Sequence, residues 1–409
     1  MKKVIVLGGG VDQIGLIKDL QERGYYVILI DYFSNPLAKP YANKHIQEST
    51  LDQDKVLEIA VQEKVDNIMT ACTDQALLTV AYVAEKLGFH TQFSFSQAKN
   101  ITNKLCMKQI MVDAGIPTAA YVNVQELEAG IGELRYPLMV KPADCNGSFG
   151  VRKVHNEAEL KEGFANAVKV SRTHSAIIEE FKEGMEVSVD AFIMDGSVHI
   201  LMYSLIKKKI FNDSISIIYQ TLIPAPLSEL AKKNMQEVLE QIADAFHLDN
   251  TPLLVQTIVK DDTVNVIEFS ARIGGGLKYK TIKEKTGFDI LHANVNCILG
   301  EKVTMEMNED PRLYSRTHLY CFPSVFGQID CPNSLISDGI IDEMSPTKTC
   351  GMEVSGATAS RDRVGSFLVK AGSVEELDDR IRLVLDSIKV MDVDGKDVLY
   401  RDLYRDRFF

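Results

Sequence analysis

The first hundred residues alternate short apolar runs with stretches of helical periodicity. Runs typical of buried strands occur at residues 4–7, 26–30 and 67–70. Stretches with helical periodicity occur at residues 14–21, 53–63 and 74–87. Because strands and helices that alternate along a chain form a parallel sheet covered by helices, residues 1–100 are predicted to form a doubly wound α/β domain.

A different pattern begins near Lys99. A helix that carries Lys104 is predicted to end at the sequence Gly115-Ile116-Pro117, where a flexible residue precedes a helix breaker. Buried strands are predicted at 137–142 and 176–181, an antiparallel set at 185–223 with a turn at Asp195-Gly196, and a long helix at 228–246. From about residue 306 the pattern mixes strands with a helix near 374–388, which indicates an α+β segment.

Residues 265–276 have an unusual polar face. Strand alternation places Ile267, Phe269, Ala271 and Ile273 on one face. It places Glu268, Ser270 and Arg272 on the other, directly before Gly274, Gly275 and Gly276. Apolar flanks make a merely solvated strand the less favoured interpretation, so this polar face is predicted to be functional.

The strand at 253–260 is the predicted hairpin partner of this segment. A two-residue loop at Asp261-Asp262 would bring Gln256 opposite Ile267, whereas a three-residue loop ending at Thr263 brings Gln256 opposite Glu268. Opposed side chains are about 4.5–5.5 Å apart at Cβ. The longer loop therefore predicts a cluster of oxygen ligands for Mg²⁺ from Gln256, Glu268 and Ser270. Arg272, one step along the same face, is placed to bind a phosphate oxygen.

Two glycine-containing segments are candidates for phosphate binding. In Gly8-Gly9-Gly10-Val11-Asp12-Gln13-Ile14-Gly15, Gln13 stands where a dinucleotide fingerprint requires glycine, which disfavours NAD binding. Lys141 ends a strand and precedes a Gly- and Ser-containing loop whose N–H groups are suited to phosphate oxygens, although a simple hairpin turn is an equal alternative. An acid-rich connection at 179–186 follows, and by itself it is equally consistent with a solvated turn.

In this order, these segments resemble the ATP-grasp superfamily. The chain looks most like stand-alone relatives of the carbamoyl-phosphate synthetase large subunit and like the L-amino-acid ligases. The resemblance implies a pre-ATP-grasp α/β domain at 1–100 and an ATP-grasp domain at 101–305 with a mobile lid at about 118–182. It also implies a mixed α+β segment at 306–409 that completes the ATP-grasp core.

The resemblance also implies roles for individual residues. ATP would be bound by Lys104, Lys141, Gly147, Ser148, Gly150, Val151, Glu179, Glu180, Phe181 and Glu186. Mg²⁺ (or Mn²⁺) would be held by Gln256, Glu268 and Ser270, with Glu268 and Arg272 as catalytic residues. Gly274, Gly275 and Gly276 would approach the acyl substrate.

Two of these positions depart from the commonest family pattern. Gln256 stands where glutamate is more frequent, as in carbamoyl-phosphate synthetases. Ser270 stands where asparagine is usual, and its shorter hydroxyl is expected to hold a second ion loosely or through water.

Composition narrows the class of protein. The 409 residues are 45% apolar and 25% charged, as in folded proteins. The net charge of −12 argues against a general nucleic-acid surface. No apolar run reaches the roughly 20 residues of a membrane helix. The seven cysteines include no Cys-x-x-Cys pair, the eight histidines show no metal spacing, and no signal-peptide pattern is evident, so a cytoplasmic location is expected.

The resulting functional hypothesis is an ATP-dependent ligase that joins a small carboxylate to an amine through an acylphosphate, giving ADP and phosphate. No protein nucleophile is required, which agrees with the lack of a recognisable Ser-His-Asp or Cys-His pattern. The alternatives are a carboxylase acting through carboxyphosphate, an NAD-dependent oxidoreductase and a nucleotide-binding protein without turnover. A homodimer is expected only at the level of the family.

Overall fold

The computed structural model describes residues 1–124, 130–145, 149–211, 215–357 and 359–404. Among these residues, no helix is both long and apolar enough to cross a membrane. Short 3₁₀ turns are formed by Lys39–Tyr41, Ser360–Asp362 and Arg401–Tyr404.

The amino-terminal unit is a four-stranded sheet with helices on both faces. Its elements are β1 (Lys3–Leu7), α1 (Val11–Glu22), β2 (Tyr26–Asp31), β3 (Lys44–Gln47), α2 (Gln53–Glu63), β4 (Asn67–Met69) and α3 (Asp74–Leu87). All pairings are parallel in the order β3-β2-β1-β4. Val4 and Val6 pack into one apolar cluster and Ile5 and Leu7 into another, which explains why β1 is continuously apolar. The predicted parallel α/β fold is confirmed.

The predicted helix that carries Lys104 is present, and a second helix that was not predicted precedes it. These are α4 (Phe95–Thr102) and α5 (Lys104–Asp113). Asn103 is extended between them, and its side-chain oxygen accepts hydrogen bonds from the N–H groups of Leu105 and Cys106. This cap makes Lys104 the first residue of α5.

A small antiparallel sheet follows. It contains β5 (Tyr121–Val124), β6 (Leu138–Pro142), β7 (Arg152–Val154), α6 (Glu157–Val170) and β8 (Ala176–Glu180), with the strand order β5-β8-β6-β7. Leu138, Val140 and Ile178 pack under α6 in a separate apolar cluster. This unit, which we call the lid sheet, therefore has a core of its own.

An eight-stranded antiparallel sheet forms the centre of the molecule. The elements after the lid sheet are β9 (Met185–Met194), β10 (Ser197–Phe211), β11 (Ile215–Ile223), α7 (Glu229–Ala245), β12 (Thr251–Lys260), β13 (Thr263–Ser270), α8 (Lys278–Thr286), α9 (Ile290–Leu299), β14 (Leu313–Leu319), β15 (Ser324–Asp330), α10 (Asn333–Ser337), β16 (Glu343–Pro346), β17 (Glu353–Val354), β18 (Gly365–Ala371), α11 (Val374–Ser387) and β19 (Lys389–Asp392). The order in the sheet is β13-β12-β9-β10-β11-β14-β18-β16. Strands from the carboxy-terminal segment thus share a sheet with the β12–β13 hairpin.

The β12–β13 hairpin has the predicted pairing but reaches it differently. Gln256 lies opposite Glu268, yet the loop contains two residues, because Lys260 pairs with Thr263. Both loop residues have positive φ angles, as in a tight hairpin turn. A β-bulge at Ile267 then restores the pairing, since Thr257 pairs with Val266. The predicted three-residue loop is wrong, and the predicted register at Glu268 is confirmed.

The bulge also changes which face Ile267 occupies. Val264 and Val266 pack into the core before the bulge, and Phe269 and Ala271 pack there after it. Ile267 instead lines a cavity beside Glu268. Its predicted place on the apolar face is therefore wrong, because the inserted residue shifts the alternation by one position.

Gly15 allows α1 to pack closely against the helices that follow β13. A Cβ atom on Gly15 would lie 2.6 Å from the Tyr279 hydroxyl and 2.9 Å from Cδ2 of Leu291. Gln13 is also structural: its side chain accepts a hydrogen bond from Ala71 N at 3.1 Å and is buried. The glycine-rich start of α1 thus serves helix packing.

We expect Gly15→Ala to destabilise the protein by about 2 kcal/mol, because overpacking outweighs the gain in helix propensity. Urea denaturation would measure the change. Lys18→Ala, at an exposed position of the same helix, should shift stability by less than about 0.5 kcal/mol. Stabilisation by Gly15→Ala would contradict the close packing.

Candidate active site

A cavity of about 830 Å³ lies between the lid sheet and the β12–β13 hairpin. Among the residues that line it are the predicted Lys104, Lys141, Gly150, Val151, Glu179, Glu180, Phe181, Glu186, Gln256 and Glu268. Gly147 and Ser148 lie outside the described residues. Residues far apart in sequence therefore meet around one space that is large enough for a nucleotide.

At the floor of the cavity, Lys104 faces Glu268. The Lys104 Nζ atom lies 2.9 Å from Glu268 Oε2 and donates to the carbonyl of Cys145 at 2.9 Å. Burial alone would raise the pKa of Glu268, but the charge and hydrogen bond of Lys104 lower it below its usual value. Glu268 is therefore an ionised carboxylate at neutral pH.

Further along the cavity, one glutamate is shared by two lysines. Glu179 lies 2.6 Å from Lys141 Nζ and 3.2 Å from Lys108 Nζ, and it is almost fully buried. Burial opposes its charge, yet the two ammonium groups lower the pKa of Glu179. The pKa of Lys108 is also lowered, by burial first and by the nearby Lys141, although Glu179 opposes that change. Two cations thus compete for a single carboxylate.

The connection between the lid sheet and the central sheet forms one wall. The N–H of Phe181 donates to the carbonyl of Pro137 at 3.1 Å, so this donor already has a partner. Lys153 Nζ lies 3.6 Å from the centre of the Phe181 ring. Glu186, the predicted ribose ligand, pairs with Lys208 at 2.7 Å.

Ser270 and Arg272 lie beyond the residues that line the cavity. Arg272 makes a two-pronged ion pair with Asp74, from Nε to Oδ1 at 2.7 Å and from Nη2 to Oδ2 at 2.5 Å. Burial alone would lower the pKa of Arg272, but Asp74 raises it. Ser270 is buried on the same face of β13. The amino-terminal domain therefore orients the predicted phosphate-binding arginine.

Asp12 holds the end of the glycine turn, which consists of Gly274, Gly275 and Gly276. Its carboxylate accepts hydrogen bonds from the N–H groups of Gly276 at 3.1 Å and Leu277 at 2.6 Å. Leu277 has a φ of 64°, a left-handed conformation that is unusual for leucine. Side-chain capping by Asp12 stabilises this strained turn at the start of α8.

Sequence reasoning missed Asp12, Asp74 and Lys108. Asp12 and Asp74 each stand in the first turn of a helix that follows a parallel strand. Ligands of open α/β sheets bind at this edge, so their position was a usable signal. Lys108 lies one helical turn after Lys104, which was the signal for a second lysine on the same face.

The donor set fits a hard divalent cation that is shared with a ligand. Gln256 and Glu268 oppose each other across the hairpin and both line the cavity. Within the described residues, no group of three or more histidines, cysteines or acidic residues forms a self-sufficient metal site. One carboxylate and one amide are, however, typical of Mg²⁺ sites completed by substrate phosphates.

Comparison with known proteins identifies the class. Residues 134–280 match the model of the ATP-grasp domain. The carbamoyl phosphate synthase large chain of Agathobacter rectalis is 25% identical over 326 residues, which cover 74% of this chain and 29% of that protein. The chain therefore spans less than a third of the length of this relative. The chain contains an ATP-grasp domain, and the recognition of the superfamily is confirmed.

Solved structures extend the likeness to nearly the whole chain. The L-amino acid ligase from Bacillus licheniformis has a TM-score of 0.79 at 21% identity, covering 96% of this chain and 99% of that one. The biotin carboxylase domain of 2-oxoglutarate carboxylase from Hydrogenobacter thermophilus, solved with MgADP, ADP and bicarbonate, has a TM-score of 0.77 at 17% identity, covering 95% and 90%. At these identities the comparison establishes the ATP-grasp fold.

We expect Glu179→Gln to lower the free energy of unfolding by about 3 kcal/mol, because it leaves the buried Lys108 and the partly buried Lys141 without a carboxylate. Lys108→Met should cost less than about 1 kcal/mol, since Lys141 still neutralises Glu179. Urea denaturation of both variants is the measurement, with the exposed Glu237→Gln as control.

The stabilisation that the ionised Glu179 provides should decrease as the pH falls. Because the folded-state pKa of Glu179 is lowered, its stabilisation is complete above the unfolded value of about 4.3 and is lost as pH falls through the folded value. A difference between wild type and Glu179→Gln that grew in acid would contradict the ion-pair assignment.

Proposed function

We propose that the protein is an ATP-dependent carboxylate–amine ligase that acts through an acylphosphate. The observation that carries the proposal is the meeting of Lys104, Lys141, Gln256 and Glu268 around one cavity, within an ATP-grasp fold. The likeness to an L-amino acid ligase over 96% of the chain supports amino-acid substrates.

Each part of the cavity has a proposed role. Lys104 and Lys141 bind nucleotide phosphates, and the loop that contains Gly147, Ser148, Gly150 and Val151 closes over them. Glu179, Glu180 and Phe181 hold the adenine, and Glu186 holds the ribose. Gln256, Glu268 and Ser270 hold Mg²⁺, which when bound supplies charge neutralisation at the triphosphate.

The reaction is divided into two transfers. An oxygen of the substrate carboxylate attacks the γ-phosphorus, the bond to the β-phosphate oxygen breaks, and ADP leaves. The amine nitrogen then attacks the acyl carbon, inorganic phosphate leaves, and a proton is lost from nitrogen. Arg272, oriented by Asp74, stabilises the negative charge on the transferred phosphoryl group.

The lid sheet has a proposed role in protecting the intermediate. An acylphosphate is hydrolysed if water reaches it, so the cavity must close during the reaction. The guanidinium of Arg361 lies 4.1 Å from the ring centre of Phe149. This contact links the carboxy-terminal segment to the part of the proposed phosphate-binding loop that contains Gly150 and Val151. This contact supports closure over the reaction centre.

A carboxylase is the second candidate, favoured by the likeness to a biotin carboxylase domain that was solved with bicarbonate. Product analysis separates the two functions. Bicarbonate-dependent release of ADP without an amine would favour the carboxylase, whereas phosphate release that requires an acid and an amine would favour the ligase.

We expect Glu268→Gln to reduce phosphate release at least about 100-fold, because loss of the strongest metal ligand removes several kcal/mol of charge stabilisation. ATP binding should be partly retained. A screen of amino acids and small acids for ATP-dependent phosphate release provides the assay, and Glu237→Gln on α7 is the control. Unchanged turnover in Glu268→Gln would refute the metal assignment.

We also expect Lys104→Met to strengthen Mn²⁺ binding in the absence of nucleotide by about tenfold. The Lys104 ammonium lies 2.9 Å from Glu268 Oε2 and so competes with a cation for this carboxylate. Electron paramagnetic resonance of free Mn²⁺ measures the affinity. Lys233→Met, on the surface of α7, should have no effect, and an unaltered affinity in Lys104→Met would contradict the competition.

A further inference from the structure

A small subsite of side chains from the carboxy-terminal segment adjoins Gly276, the last residue of the glycine turn. Gly276 has a φ of 79°, and a Cβ atom there would lie 3.5 Å from His318 Cε1 and 3.8 Å from Arg363 Nη1. His318 belongs to β14, and Arg363 directly follows the turn Ser360–Asp362. The glycine backbone is thus apposed to two side chains from the carboxy-terminal segment.

This subsite is rich in cations. His318 is only 5% exposed. Burial first, and then the charges of Arg363, Arg316 and Lys278, hold the pKa of His318 well below its usual value. The imidazole is therefore neutral, and the positive charge belongs to the arginines and Lys278.

Two of these cations have carboxylate partners within the protein. Arg316 Nη2 lies 2.9 Å from Glu343, and Lys278 Nζ lies 2.6 Å from Asp190. Arg363 differs: in the part of the chain that the structure describes, its hydrogen bonds go to the hydroxyls of Tyr320 at 3.2 Å and Ser360 at 3.3 Å. A partly buried arginine whose guanidinium has hydroxyl partners rather than a carboxylate among the described residues is suited to an external carboxylate.

The subsite is also close to the proposed reaction centre. Asp12, which accepts hydrogen bonds from Gly276 and Leu277, is near enough to both Arg272 and Arg316 for their charges to lower its pKa, although burial raises it overall. The same aspartate therefore connects the phosphate-binding arginine to the subsite.

We propose that Arg363, together with the neighbouring His318, binds a second carboxylate of the substrates, one that is not phosphorylated. This inference rests on the proposed function, and it narrows the substrate class to molecules that carry such a group. The source is either the α-carboxylate of an acceptor amino acid or the second carboxylate of a dicarboxylic donor.

The test compares each carboxylate with its primary amide. The acceptor arm uses the twenty amino acids and their α-carboxamides, and the donor arm uses succinate, glutarate and adipate with their monoamides. Equilibrium binding to the protein saturated with MgADP is measured by calorimetry, and phosphate release from ATP is measured separately. Wild type is compared with Arg363→Met and with the control Arg382→Met on the surface of α11.

The expected result is that at least one carboxylate binds wild type about 10- to 100-fold more tightly than its amide, as for a hydrogen bond to a charged group. Arg363→Met should abolish this preference and leave ADP affinity unchanged. The arm in which the preference occurs identifies its source. Arg363→Gln, which can still bond to Tyr320, replaces the Met variant if that variant misfolds.

Two results would overturn the proposal: no carboxylate preferred over its amide by wild type, or a preference that survives the loss of Arg363. Failure of the ligase function is distinguishable, because it would appear as no phosphate release with any pair while the binding comparison remained measurable.

Discussion

The inserted residue at Ile267 determines what the central hairpin presents to the cavity. With a two-residue turn and no bulge, Gln256 would face Ile267, and Glu268 would point into the core that holds Phe269 and Ala271 in the structure. The bulge shifts the alternation by one position, so that Glu268 faces Gln256 and the apolar residues after it remain buried. Both Ile267 and Glu268 then line the cavity, one offering apolar surface and the other a carboxylate.

Carboxylates and lysines at this depth require partners, because an isolated buried charge is strongly unfavourable. Lys104 pairs with Glu268, and Lys108 and Lys141 share Glu179. Three ammonium groups thus face two carboxylates. The local excess of positive charge suits a polyanion despite the net charge of −12. A bound triphosphate would provide the anion that Lys104 and Lys141 now find in glutamates, and Glu268 would become available to a metal ion.

Local patterns of apolar and polar residues predicted most of the fold correctly. The helix at 53–63 and the helix at 74–87 were predicted to the residue, because apolar periodicity reports each element directly. The bulge at Ile267 was not indicated by any such pattern. The pairing of Gln256 with Glu268 was predicted correctly, but with a loop of the wrong length. The contacts that orient the site could not be predicted from local sequence patterns either. Arg272 and Asp74 are 198 residues apart, and Leu277 and Asp12 are 265 residues apart. No local periodicity connects such positions.

These long-range contacts make the amino-terminal domain part of the site. Asp74 and Asp12 both stand in the first turn of a helix at the carboxyl edge of the parallel sheet, and they hold Arg272 and the end of the glycine turn respectively. The region 134–280 that matches the ATP-grasp domain contains Lys141, Glu179, Glu268 and Arg272. It lacks Asp12 and Asp74, which come from the amino-terminal domain, and Arg363, which comes from the carboxy-terminal segment. The residues proposed to bind ATP therefore lie mostly within the matched region, whereas Arg363, the side chain proposed to bind a second substrate carboxylate, lies outside it.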